Sequence, residues 1–159
     1  MINHINKKNR PQIIDISEKE NSERIAIAEG YVSFEPKVFN KIKKMKTKKG
    51  SIENVAILAG IIGAKETSRI IPLCHNIKIN YINIDIEKIN KKNSFKIISE
   101  VKTNEKTGVE MEALVAVSVS CLTIYDMCKG ISKKILIKNI KLISKIGGKS
   151  GKFKDKKKI

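Results

Sequence analysis

Lys78-Ile-Asn-Tyr-Ile-Asn-Ile-Asp-Ile-Glu-Lys-Ile-Asn-Lys-Lys-Asn-Ser-Phe-Lys-Ile-Ile-Ser-Glu-Val101 spells out a strand, a polar turn and a returning strand. Ile82, Ile84 and Ile86 alternate with Asn83, Asp85 and Glu87, the period-two pattern of a half-buried strand over 78–89. Asn90 to Asn93 has no apolar residue and suits the turn, and Phe95 to Val101 pairs back on the first strand. Downstream, Thr107 to Gly130 reads as one long apolar helix, with Gly108 at its entry and Gly130 at its exit. Ile135 to Ile143 is a last strand. Upstream, Arg24 to Phe34 reads as a strand whose alternation breaks near Gly30. Pro36 opens a short basic helix to about Met45, and Ser51 caps a helix to about Ile70. Ile13 to Ser17 is a short strand or extended piece. The order β-α-β-β-α-β predicts an α+β fold: a ferredoxin-like sandwich, an antiparallel sheet with helices packed on one face. Residues 1–12 are expected to be a flexible arm, 13–151 a single catalytic domain, and 152–159 a basic flexible tail.

The chain has 159 residues, enough for one domain with its own core, built from aliphatic residues because aromatics are only 4%. The start lacks the apolar region of a signal peptide, and the longest apolar run, Val55 to Ala64, is too short to cross a bilayer. A soluble cytoplasmic protein without membrane contact is expected. The net charge of +17 suggests a polyanionic partner, yet lysine outnumbers arginine 30 to 3. Arginine is the preferred reader of phosphate and guanine. Lys, Ile and Asn belong to AT-rich codons, so part of the excess reflects composition. Arg24 is a weak candidate for an anion contact. Cys74, Cys121 and Cys128 form no C-x-x-C pair and are expected as free thiols, the last two as packing residues. One histidine beside one cysteine is too little for a zinc site, so no metal site is expected.

The long helix carries charge at both ends. Glu110 and Glu112 point about 200° apart on an ideal helix, so they share a face only if Glu110 still belongs to the entry turn. Glu112 and Asp126 share a face to within about 40° but lie roughly 21 Å apart along the axis. If both serve one site, a second copy of the helix must supply one of them. The blander alternative is that the glutamates and Lys129 merely complement the helix dipole, which leaves Asp126 beside Lys129 unexplained.

Three loops add polar groups. Lys48-Lys49-Gly50 can reach a phosphate or can simply be a solvated loop. Pro72-Leu-Cys-His75 holds a histidine on a proline turn, which suits proton transfer or a structural contact. Gly147-Gly-Lys-Ser-Gly151 is not a P-loop, because the pattern requires glycine where Ile143 stands. Its backbone amides, with Lys145 or Lys149, can still cradle an anion. Cations, one histidine and carboxylates together suit acid–base chemistry on a phosphorylated substrate.

Pro72-Leu-Cys-His75, Thr107-Gly-Val-Glu-Met-Glu-Ala-Leu114, Leu122-Thr-Ile-Tyr-Asp-Met-Cys-Lys129 and Gly147-Gly-Lys-Ser-Gly-Lys-Phe153 closely resemble the MoaC family, the cyclic pyranopterin monophosphate synthases of molybdenum cofactor biosynthesis. The likeness runs from about Ile13 to Phe153. It implies a lyase that converts (8S)-3′,8-cyclo-7,8-dihydroguanosine 5′-triphosphate to cyclic pyranopterin monophosphate with release of pyrophosphate. It further implies a homohexamer, a trimer of dimers with the active site at a subunit interface. Carried over residue by residue, it makes Asp126, Lys129 and Lys49 catalytic. It makes Leu73, Cys74, His75, Glu110, Met111, Glu112, Lys145 and Lys149 substrate-binding. No cofactor is implied, and a magnesium requirement stays open. Asn76 stands where the family often has proline, and Ser51 where its loop commonly has aspartate.

Two other readings compete. An RNA-binding ferredoxin-like domain would need aromatics on its central strands, and the Phe95 strand has only that one. A family member serving only as a structural subunit would not need the intact acid–base set. No specific nucleic-acid partner is expected.

Overall fold

The computed structural model describes residues 4–6, 8–43, 51–148 and 151–155. Five strands form one antiparallel sheet: β1 (Ser22–Ser33), β2 (Tyr81–Ile89), β3 (Ser94–Glu105), β4 (Leu136–Ile146) and β5 (Phe153–Lys154), in the order β2-β3-β1-β4-β5. Among the described residues four α-helices accompany them, α1 (Pro36–Ile42), α2 (Ile52–Lys65), α3 (Thr67–Ile70) and α4 (Glu110–Cys128), with a 3-10 turn at Asn90–Lys92 between β2 and β3. The fold is α+β, as the element order predicts.

The register shows how the helices share one face. Ile84 pairs with Ser99, and Ser99 pairs with Ala28, so these three side chains form one row across the sheet. The Ser99 hydroxyl donates to the Ala113 carbonyl of α4 at 2.8 Å. A Cβ on Gly60 of α2 would lie 2.5 Å from Ile84 Cδ1 and 2.2 Å from Ser120 Oγ of α4. Both helices therefore rest on this row, and they touch each other through Gly60. The Ser120 hydroxyl donates to the Ala56 carbonyl at 2.9 Å, a bond open only to closely approaching helices.

Gly30 explains the broken alternation of β1. A Cβ there would lie 2.6 Å from Val117 Cγ1 of α4. Ala26, Ala28 and Gly30 thus form a shallow bed under α4, and the pairing of β1 with β4 shifts register between Glu29 and Tyr31. Phe95 is 1% exposed and stacks edge-on against Phe34 and Phe39, with ring centroids 5.8 Å and 5.7 Å away. It belongs to the core and offers no face to a nucleic-acid base. Phe39, Phe95, Ile97, Val101 and Ile124 are fully buried, each worth about 1.5–3 kcal/mol in apolar transfer.

Several expectations change. The helix beginning after Ser51 ends at Lys65, and α3 follows Glu66 as a separate turn. Ser51 caps α2 as expected, accepting from the Asn54 amide at 3.1 Å. Gly130 takes no left-handed conformation; α4 ends with Lys129 still helical, its amide bonded to the Tyr125 carbonyl. Of the two readings of residues 13–17, a short strand or an extended piece, only the strand is lost: they pair with no neighbour in the sheet. β4 continues to Ile146, so Lys145 is a strand residue and the glycine turn begins at Gly147, where Gly147, Gly148 and Gly151 all have positive φ. Phe153–Lys154 returns to pair with β4. By length and apolar composition α4 could cross a membrane. Here its apolar side lies on the sheet, with Ala113, Ala116, Val117, Cys121 and Ile124 fully buried.

Candidate active site

The entry to α4 solves the problem of its two carboxylates. Glu110 is the first helical residue and folds back over Gly108, where a Cβ would lie 2.0 Å from Glu110 Oε2. Glu110 and Glu112 consequently line the same cavity, of about 360 Å³. With glycine at 108 the Glu110 carboxylate can lie this close to the entry turn; a Cβ there would displace it. Glu110 Oε1 accepts from Lys145 Nζ at 2.8 Å, which ties α4 to β4.

The loop after α3 supplies the facing wall. Ile71 is extended (φ −102°, ψ 108°), the conformation favoured before Pro72, and the Cys74 amide closes a turn on the Ile71 carbonyl at 3.1 Å. This turn presents Leu73, Cys74 and His75 to the cavity that Glu110, Met111 and Glu112 line from α4. His75 Nε2 lies 2.7 Å from the Ile14 carbonyl oxygen.

Glu112 is 4% exposed, and burial pushes its carboxyl up to about 7, opposed by a backbone hydrogen bond and assisted by the nearby charge of Glu110. A carboxyl that holds its proton near neutrality can both donate and accept one there. Cys74 is pushed up by burial and by Glu112, which disfavours a reactive thiolate. Cys121 and Cys128, pushed by burial to about 12 and about 11, are packing residues as expected.

A second cavity, of about 950 Å³, adjoins the first: Lys19, Thr107, Gly108 and Glu110 line both. Its other walls include Arg24, Lys106, Lys145, Gly147 and Gly148, with Glu18 and Glu20 as the opposing charges. Arg24 Nε donates to the Glu105 carbonyl at 3.3 Å. A Cβ on Gly148 would lie 1.8 Å from Arg24 Nη1, so the turn backbone packs directly on the guanidinium. The arrangement joins proton-transfer groups at one end to cations at the other. Among the described residues no three His, Cys, Asp or Glu side chains converge to hold a metal ion.

Asp126 and Lys129 are elsewhere. They pair at 2.7 Å near the far end of α4, with side chains 69% and 58% exposed. Because α4 is continuous from Glu110 to Cys128, roughly 21 Å of helix separates Glu112 from Asp126. Lys49 and Lys149 lie outside the described residues. The structure thus brings Leu73, Cys74, His75, Glu110, Met111 and Glu112 around one cavity, places Lys145 in the adjoining one with its ammonium on Glu110, and leaves Asp126 and Lys129 apart. Sequence reasoning missed His4, Ile14, Ile16 and Lys19, which also line the smaller cavity. The alternation of Ile14 and Ile16 was the available signal, though two residues are too few to orient a face.

The fold and site define an α+β domain in which a buried carboxyl and a histidine line one cavity and four basic residues line the cavity beside it, the groups that acid–base chemistry uses. The MoaC family model matches residues 13–148. Proteins named cyclic pyranopterin monophosphate synthase are similar over almost the whole chain. That of Helicobacter pylori is 47% identical over 156 residues, 98% of this chain and 99% of its own length. That of Clostridium acetobutylicum is 47% identical over 150 residues, 94% and 93% of the two chains. That of Campylobacter jejuni is 47% identical over 152 residues, 96% and 97%. The chain belongs to the MoaC family.

Proposed function

We propose that this chain is a lyase of molybdenum cofactor biosynthesis, converting the cyclic dihydroguanosine triphosphate to cyclic pyranopterin monophosphate and pyrophosphate. One observation carries the reading: the acid–base cavity and the cavity that holds the cations adjoin, sharing Lys19, Thr107, Gly108 and Glu110 in their walls. A substrate with a purine-derived ring at one end and a triphosphate at the other needs both. The ring sits beside Glu112 and His75, which exchange protons as the purine is rebuilt into a pterin. The phosphates lie towards Lys145, Arg24 and Lys106. Closing the cyclic phosphate moves a hydroxyl proton to a base, forms one P–O bond and breaks another, and the cations stabilise the departing pyrophosphate.

Asp126 and Lys129 complete the site from a neighbouring subunit, Lys49 is a third catalytic residue, and the molecule works in the cytoplasm as a homohexamer, a trimer of dimers. Three findings support this assembly. The continuous helix holds Asp126 away from Glu112 within one chain. Leu122, one turn before Asp126, is 59% exposed, and Leu58 and Ile62, one turn apart on α2, are 60% and 55% exposed. Exposed apolar residues on adjoining helices suit burial against another subunit. The test is direct: incubate the protein with the cyclic dihydroguanosine triphosphate and follow pyrophosphate and, after oxidation, pterin fluorescence. Stoichiometric appearance of both is expected; appearance of neither contradicts the reading.

A further inference from the structure

Residues 13–21 lie before β1 and belong to no strand or helix, yet they are tethered repeatedly. The Ile14 carbonyl faces His75 Nε2 at 2.7 Å. The Ser17 carbonyl accepts from Lys106 Nζ at 2.6 Å. Asp15 Oδ1 accepts from the Ser17 amide at 2.8 Å and its hydroxyl at 2.6 Å. The Lys19 amide closes a turn on the Ile16 carbonyl at 3.1 Å. Between these tethers the segment is two-sided: Ile13, Asp15 and Ser17 are exposed, whereas Ile14 and Ile16 line the smaller cavity. Neither isoleucine belongs to the hydrophobic core. Their apolar surface is spent on the cavity wall.

We infer that residues 14–19 are a strap that closes over the bound ring and positions His75 for it. The inference rests on the activity proposed above. A carbonyl oxygen only accepts, so the bond to Ile14 places a hydrogen on His75 Nε2 and leaves Nδ1 of the neutral ring as the acceptor. The strap selects the tautomer while Ile14 and Ile16 give the purine-derived ring an apolar surface. Lys19, lining both cavities, brings a cation to the junction between ring and phosphates. The tethers are few and mostly exposed, and none is a ladder bond of the sheet, so the strap can open for substrate without disturbing the sheet.

The test uses the full chain with three variants: the double variant Ile14→Asp and Ile16→Asp, its conservative counterpart Ile14→Val and Ile16→Val, and Asp15→Ala. Asp15 is fully exposed and in no core contact, so the last variant keeps the fold. Nitrogen-15 NMR of the His75 ring without substrate should show the Nε2–H tautomer in the wild type and the valine variant. It should show a mixture of tautomers in the aspartate and Asp15→Ala variants. KM for the cyclic dihydroguanosine triphosphate should rise about tenfold in the aspartate variant and return to normal with valine. An unchanged His75 tautomer in the aspartate and Asp15→Ala variants overturns the strap. Because that spectrum is read without substrate, it decides the strap even if the wild-type protein releases no pyrophosphate, a result that would overturn the proposed activity instead.

Discussion

Glu112 is the residue whose environment most departs from that of an ordinary side chain. It is buried at the N-terminal end of α4, and burial holds its carboxyl at about 7 rather than the ordinary 4.5. The sign of the consequence is fixed. Below about pH 4.5 the carboxyl is protonated in folded and unfolded chains alike. As the pH rises towards 7 the unfolded chain has released the proton and the folded chain still holds it, so stability falls; above 7 the loss is complete. The gap between 4.5 and about 7 corresponds to about 3 kcal/mol at about 1.4 kcal/mol per pKa unit. Glu112→Gln should therefore leave Tm nearly unchanged at pH 4.5 and raise it by several degrees at pH 8, while turnover is lost. Thermal melts of both proteins across that range check it. A constant difference in Tm at all pH values would show that Glu112 is not held protonated by the fold.

At the scale of elements, the contact between α2 and α4 positions the site, because α4 carries the carboxylates and α2 leads into α3 and the loop of His75. Gly60 sets that contact. Its missing Cβ leaves room for Ser120 Oγ at 2.2 Å and the Ala116 carbonyl at 2.8 Å. One obstacle is backbone and cannot rotate away. Gly60→Ala should push the helices apart, weaken the Ser120–Ala56 hydrogen bond and cost about 1–3 kcal/mol, measured as a lower urea midpoint. An unchanged midpoint would mean that the helices adjust freely. The elements were unequally visible in the sequence. β2 and β3 were legible because an isoleucine ladder against polar residues admits one face inward. The division of α2 from α3 was not, because Glu66 breaks the helix at φ −97° and ψ 6° with neither proline nor glycine to mark it. β5 was hidden because a two-residue strand has no period. The sequence pattern ends the last strand at Ile143, short of Ile146, because the glycines at 147 and 148 draw the boundary too early.

For the whole molecule, the question is how many chains make one site. The spacing of Glu112 and Asp126 was readable before any coordinates, and the uninterrupted α4 fixes that separation. The strap was not readable, because only tertiary contacts with His75 and Lys106 turn an irregular segment into a wall. The cationic cavity was only partly readable: Arg24 stood out by scarcity, but its place beside Gly148 depends on β1 and β4 being neighbours. A site shared between chains makes a quantitative demand. Asp126→Asn and Glu112→Gln proteins should each be inactive. When the two are mixed under conditions that exchange subunits, a neighbouring pair with one chain of each kind regains one site with both native residues. Random pairing restores about a quarter of the wild-type sites. The decisive measurement is pyrophosphate release from the cyclic dihydroguanosine triphosphate by this mixture. About a quarter of wild-type activity is predicted, and no recovery despite demonstrated subunit exchange would contradict a site built from Glu112 of one chain and Asp126 of another.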